Sequence, residues 1–189
     1  VEIDIAEAQG QPRSRASSAP DEGALAVTLT TLFRDHHLSL VRTALMIVGD
    51  RATAEDVVQD AFVILHRKID KLLDHERILP YIRGTVVNRC RHVLRRRRLA
   101  LRTGRTHEPP VWSAESAALL GEERREVFLA LRRLPARQRE ALVLRYYLDL
   151  TESEIAEVMG VSRGTVKSTT SRGLRTLGKR LETKRGEES

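Results

Sequence analysis

The sequence predicts an all-α protein: two small helical domains joined by a flexible linker, the C-terminal one containing a helix-turn-helix. Three observations carry this. Apolar residues recur at helical spacing in two separate blocks, one from Leu29 and one from near Ala118. No stretch shows a strong strand-like alternation of apolar and polar residues. Between the blocks, Thr103 to Ser113 contains Gly104, Pro109 and Pro110 and reads as a linker. The expected organisation is a disordered tail over 1–28, a helical domain over 29–98, a linker over 99–117, a second helical domain over 118–182 and a short tail over 183–189.

Each element has its own local signal. Residues 1–24 are rich in Gly, Pro, Ser, Ala and Gln and lack a period, as a disordered tail would. Leu29, Leu32, Phe33, His36, Leu40, Val41, Ala44, Leu45 and Val48 then follow a helical spacing, with Gly49 as the stop. Thr53 with Asp56 resembles a capping box opening the next helix, whose buried stripe is Val57, Val58, Ala61 and Leu65. After a connector over 70–79, Pro80 suits a first helical turn, and Ile82, Val86, Cys90, Val93 and Leu94 form the stripe that follows. In the second block, Val127, Phe128, Leu131 and Leu134 form one helix stopped by Pro135. Ala141, Leu142, Leu144 and Leu148 form another, and two further helices lie beyond Thr151.

Charge and composition narrow the function classes. The 189 residues carry 33 Lys and Arg against 26 Asp and Glu, a formal net charge of +7. A basic balance favours an acidic partner, either nucleic acid or an anionic membrane surface. Cys90 is the single cysteine, so an internal disulfide and a CxxC metal pair are both excluded. The six histidines show no HExxH spacing, and the sequence predicts no cofactor, no metal site and no enzyme. Residues 1–23 lack the apolar core of a signal peptide, and no apolar run approaches the roughly 20 residues needed to span a bilayer. A cytoplasmic protein without membrane insertion is expected.

The sharpest motif lies at Thr151 to Leu177. Thr151 and Glu154 form a capping box. Gly160 permits the positive φ of a tight turn, Ser162 caps the next helix, small Ala156 allows close approach, and Val166 plugs the angle between the helices. These offsets match the geometry of a helix-turn-helix. Val166, Leu174 and Leu177 are expected to face inward. Arg163, Thr165, Lys167, Ser168, Ser171 and Arg172 are expected on the outer side, where cations meet phosphates and hydroxyls meet base edges or phosphates. The stretch from Val158 to Leu181 contains no acid. An ordinary helical corner with a solvated basic face would not require all of these features together.

A second cationic stretch lies between Glu76 and Glu108, which are separated by no acidic residue. It holds Arg77, Arg83, Arg89, Arg91, Arg95 to Arg98, Arg102 and Arg105. Such a helix repels itself without an anionic partner, and phosphate binding is its natural use. Arg83, Asn88, Arg91 and Arg95 can lie outside the apolar stripe, and the Asn88 amide offers a base both a donor and an acceptor. A merely solvated end or a membrane-surface patch is the bland alternative, though the helix lacks the large aromatics of membrane-surface helices. On the helix from Thr53 to Lys68, Glu55, Asp56, Gln59 and Asp60 cluster. These residues leave two readings open: a surface for a basic protein partner, or charges that serve the helix dipole.

Three runs taken in order, AEDVVQDAFVILHR, PYIRGTVVNRCRHVLRRRR and LPARQREALVLRYYLDLTESEIAEVMGVSRGTVKSTTSRGLRTL, resemble bacterial RNA polymerase sigma factors of the extracytoplasmic-function (ECF) type over residues 29–182. The last run alone also resembles response-regulator output domains, so a stand-alone helix-turn-helix regulator is the alternative. The resemblance implies that residues 29–98 read and help open the −10 element and that residues 118–182 read the −35 element. It implies RNA polymerase core as partner, through the β′ clamp and the β subunit, with Asp56, Gln59 and Asp60 as core contacts. It implies duplex and backbone contacts from the helix carrying Arg83, Asn88, Arg91 and Arg95, and base capture by the connector before it. Many members of the family are held by an anti-sigma factor, which the resemblance adds as a further partner.

Overall fold

The computed structural model describes residues 22–69, 75–102, 113–121 and 124–187. Among these residues the regular structure is entirely helical. In chain order the helices are α1 (Glu22–Val48), α2 (Arg51–His66), α3 (Ile78–Arg102), α4 (Ala114–Leu120), α5 (Arg125–Arg132), α6 (Ala136–Tyr146), α7 (Glu152–Met159) and α8 (Arg163–Glu187), with a 3-10 turn at His75–Arg77 before α3. The all-α expectation stands, but several boundaries move. Glu22, Ala24, Leu25 and Ala26 are good helix formers, and α1 begins there, inside the stretch read as tail. Helix α3 runs past Arg98 to Arg102, and α4 begins inside the expected linker and crosses its end at residue 117. Helix α8 continues beyond residue 182. Residues 1–21 and 103–112, the rest of the expected tail and the centre of the expected linker, lie outside the described residues.

Helix α1 stops where Gly49 adopts φ +97°, a conformation that L side chains rarely adopt. The space there is also closed. A Cβ on Gly49 would lie 0.9 Å from Nη1 of Arg132. The next helix starts earlier than the sequence suggested. Asp50, extended at φ −132° and ψ 148°, is its N-cap, and its carboxylate accepts the Thr53 N–H at 2.8 Å. Thr53 is therefore inside the first turn, and the Thr53–Asp56 pair is not a capping box. The Thr53 hydroxyl instead accepts from Arg97 Nη2 at 2.7 Å.

Helices α1, α2 and α3 pack on one another around Val41, Leu45, Val58, Leu65, Ile82 and Val86, all essentially inaccessible to water. Arg97, near the end of α3, reaches the end of α1 and the start of α2 together. It donates to the Val48 carbonyl at 2.9 Å and to the Asp50 carboxylate at 2.6 Å. Helices α5 to α8 form the second unit. There Leu142 of α6 sits 3.1 Å from where a Cβ on Gly173 would stand, so α8 lies close against α6 because position 173 has no side chain.

The two units share a core. Leu45 and Val48 of α1 belong to the same buried cluster as Leu120, Phe128, Val143 and Leu144. Helix α1 meets α4, α5 and α6, and α3 meets α7. The Arg42 Nε donates to the Leu119 carbonyl at 2.6 Å, satisfying one of the open carbonyls at the end of α4.

Candidate nucleic-acid interface

The helix-turn-helix forms from the residues that signalled it. Thr151 accepts the Glu154 N–H through its hydroxyl, and the Glu154 carboxylate accepts the Thr151 N–H at 2.8 Å, a reciprocal capping box. These bonds hold the Glu154 carboxyl below its ordinary value. Gly160 ends α7 in the left-handed region at φ +62° and ψ 44°. The Ser162 hydroxyl accepts the Thr165 N–H at 3.2 Å and opens α8. Val166 is 1% exposed, and Ile155 and Met159 are buried beside it.

The outer side of α8 carries the six predicted residues. Arg163, Thr165, Lys167, Ser168, Ser171 and Arg172 are all exposed. Arg172 folds back on its own helix, with Nε donating to the Ser168 carbonyl at 3.1 Å, which lays the guanidinium along the face. The inward assignment needs one correction. Leu177 packs against Leu131, Leu134 and Leu142, but Leu174 is 43% exposed. The inner stripe of α8 runs through Val166, Thr169 and Gly173 to Leu177, and Leu174 falls at its edge. Val127 on α5, also expected inside, is 42% exposed for the same kind of reason. The sequence reading missed Arg175. It is exposed and follows Ser168 and Ser171 at seven and four residues along the same face of α8. That spacing was the available signal.

Helix α3 presents a more divided picture. Asn88 and Arg95 are exposed, whereas Arg83 and Arg91 are only partly so. Arg91 makes a bidentate pair with Glu140 of α6. Its Nε lies 2.9 Å from Oε1, its Nη2 bonds the same carboxylate, and its Nη1 donates to Asn88 Oδ1 at 2.7 Å. Arg83 lines a cleft of about 630 Å³ between α3 and α7, opposite Glu154 and Glu157. Burial pushes its guanidinium below the ordinary value, and the Glu154 charge opposes that. Arg95 contacts His92 at 3.0 Å. The cationic run is therefore less self-repelling than the sequence implied. Arg89 pairs with Asp60 at 2.5 Å, Arg91 with Glu140, and Arg97 with Asp50.

Helix α2 places Asp56, Gln59 and Asp60 on one exposed stripe, together with Val63, which is 49% exposed. Beside it, Phe33 and Phe62 meet edge to face with ring centroids 5.0 Å apart. With Leu29, Val63 and His66 they line a shallow apolar groove. Among the described residues no helix is long and apolar enough to cross a membrane.

Comparison with known proteins interprets these faces. The profile of Sigma-70 region 2 matches residues 32–100, and that of Sigma-70, region 4 matches residues 124–177. An RNA polymerase sigma-E factor of Streptomyces avermitilis is 30% identical over 146 residues, 77% of this chain and 80% of that protein. The ECF RNA polymerase sigma factor SigM of Mycobacterium tuberculosis is 32% identical over 150 residues, 79% of this chain and 75% of SigM. In fold, the chain resembles the sigma factor RpoE in its co-crystal with the anti-sigma factor NepR from Bartonella quintana. The TM-score is 0.63 at 22% identity, covering 85% of this chain and 96% of that one. CnrH in complex with the cytosolic domain of CnrY gives 0.63 at 21% identity, covering 87% and 91%. A stand-alone regulator of the response-regulator type would account for the helix-turn-helix but not for a region 2 match over α1 to α3. Both regions, in order on one chain and at this identity over most of their relatives' length, make the protein a member of the ECF family of RNA polymerase sigma factors, which bind core polymerase and direct promoter-specific transcription initiation.

Proposed function

We propose that the two halves divide promoter recognition as follows. Residues 118–182 read the −35 element through Arg163, Thr165, Lys167, Ser168, Ser171 and Arg172 of α8, with Arg175 extending the same face. Residues 29–98 serve the −10 element through Arg83, Asn88, Arg91 and Arg95 of α3 and dock on the polymerase β′ clamp through Asp56, Gln59 and Asp60 of α2. The β subunit is a further core contact. The observation that carries this reading is the outer face of α8, where six predicted polar or cationic residues are exposed together opposite a packed stripe. Docking through α2 draws support from its composition, an acidic and amide rim around exposed Val63 and the Phe33–Phe62 groove.

The action is binding, not catalysis, and it takes place in the cytoplasm, where polymerase and promoter meet. Extruding a base from the stack costs a few kcal/mol. Phosphate contacts and core docking offset that cost. The fold shared with a sigma factor that was crystallised with an anti-sigma factor supports control of this chain by such a protein.

Single substitutions separate the two activities. Lys167→Ala or Arg172→Ala should weaken binding to a −35 duplex by about fivefold to a hundredfold, the loss typical of a phosphate or base contact. Either variant should leave core association unchanged in a pull-down. Asp60→Ala should weaken core association and spare DNA binding. Unchanged core affinity in Asp60→Ala would remove the docking assignment.

A further inference from the structure

We infer that Arg137, at the start of α6, grips a backbone phosphate of the −35 duplex and so seats α8 in its groove. This rests on the assignment of α8 to the −35 element. Arg137 lies outside the helix-turn-helix motif, and the fold brings it there. Its Nη1 donates to the Met159 carbonyl, 22 positions away, at 3.4 Å. Met159 is the last residue of α7, and Gly160, Val161 and Ser162 turn the chain into α8. The guanidinium is thus pinned beside the turn, next to the end of α8 that begins with Arg163. Capping of α7 explains only part of this arrangement. A bond of 3.4 Å is long for a charged donor, and it uses one of the several N–H groups of the guanidinium. The side chain stays 58% exposed.

The charges around Arg137 leave it in want of an anion. Glu140 Oε2 lies 3.9 Å away, but that carboxylate is buried and already gripped by Arg91. Glu154 and Glu157 of α7 line the cleft on the α3 side. From Val158 to Leu181 the chain carries no acid. Pro135, the N-cap of α6, offers no side-chain hydrogen bond to the first turn, so the positive end of that helix adds to the guanidinium charge. A duplex presents phosphates along both edges of the groove that α8 enters. Contacts to those edges carry no sequence information, yet they fix the register and orientation of the reading helix. A cation fastened to the turn holds the strand at a set distance from Arg163 and Thr165, and a planar guanidinium suits the oxygens of a phosphate.

The test uses the full chain, a duplex it enriches from a random-sequence pool, and the same duplex with its bases scrambled. Arg137→Gln removes the charge but keeps an N–H donor, and Arg137→Lys keeps the charge. Arg137→Gln should lower affinity about tenfold, the worth of one charged hydrogen bond, and by the same factor on both duplexes. Arg137→Lys should recover most of that loss. A neutral methylphosphonate is then placed at one backbone position after another. In the parent chain one stretch of backbone should lose about tenfold, and Arg137→Gln should be insensitive there because it has already given up that contact. Circular dichroism checks folding, and Arg137→Ala carries the same cycle if Arg137→Gln does not fold. A folded neutral variant that binds like the parent would overturn the anchor, leaving Arg137 as a cap of α7. So would a loss that no methylphosphonate position masks. Arg172→Ala is measured alongside: if it too binds like the parent, the −35 reading of α8 falls as well, whereas a loss in Arg172→Ala alone removes only the anchor.

Discussion

Asp50 works on three helices at once. Its carboxylate caps α2 through the Thr53 N–H and accepts from Arg97 of α3, just after the turn that ends α1. Burial alone would raise its pKa. The Thr53 bonds and the Arg97 charge more than offset that and hold it below the ordinary 3.8. The folded state therefore binds this proton less tightly than the unfolded chain. The resulting stability is fully present above the ordinary carboxylate range and is lost as pH falls through the depressed folded value. Asp50→Ala should lower unfolding stability at neutral pH by about 0.5–2 kcal/mol, the usual cost of an N-cap. In urea titrations the gap between parent and variant should close as the medium is made strongly acidic. The sequence showed Thr53 and Asp56 as the capping pair because their spacing fits. It could not show that Arg97, far along the chain, would complete a better cap one turn earlier.

At the scale of elements, the α7–turn–α8 unit was the most legible part of the chain. Its determinants are local: a reciprocal Thr151–Glu154 cap, a left-handed Gly160, a Ser162 cap and a buried Val166. Each depends on residues within a few positions of one another, so spacing alone reveals it. Thr151→Ala removes the hydroxyl that accepts the Glu154 N–H and should cost about 1 kcal/mol. A lower melting temperature for the variant, with −35 binding retained below it, would match that loss. Stripe edges were harder to read. Leu174 and Val127 have the right period but line an open apolar cleft beside Leu131, Tyr146 and Leu177, and which edge of a stripe is covered is decided by tertiary packing. Arg175 is the converse case: the helix-turn-helix signal is confined to the first three turns of α8, whereas the exposed face continues beyond them.

For the whole molecule, the all-helical class and the order of the two halves were readable, and their mutual seating was not. Helical periodicity reports that a face is buried, not against what. Nothing in the sequence ties Glu140 to Arg91 or Arg132 to Val48, contacts between residues 49 and 84 positions apart. The arginine-rich run likewise looked uniformly available, and its internal pairing changes how binding should respond to ionic strength. Each phosphate that a cation neutralises releases counterions and steepens the fall of log K with log salt by roughly 0.7 for a single strand or 0.9 for duplex DNA. An arginine already matched by a carboxylate releases none unless it first gives up that partner. Titrating affinity against salt should therefore give a shallower slope for the free factor than its cation count suggests. In Glu140→Gln, which takes the charge from the carboxylate that holds Arg91, the slope should steepen by about one such increment. The internal ion pair thus makes ionic strength a gauge of which carboxylate or phosphate the protein is holding.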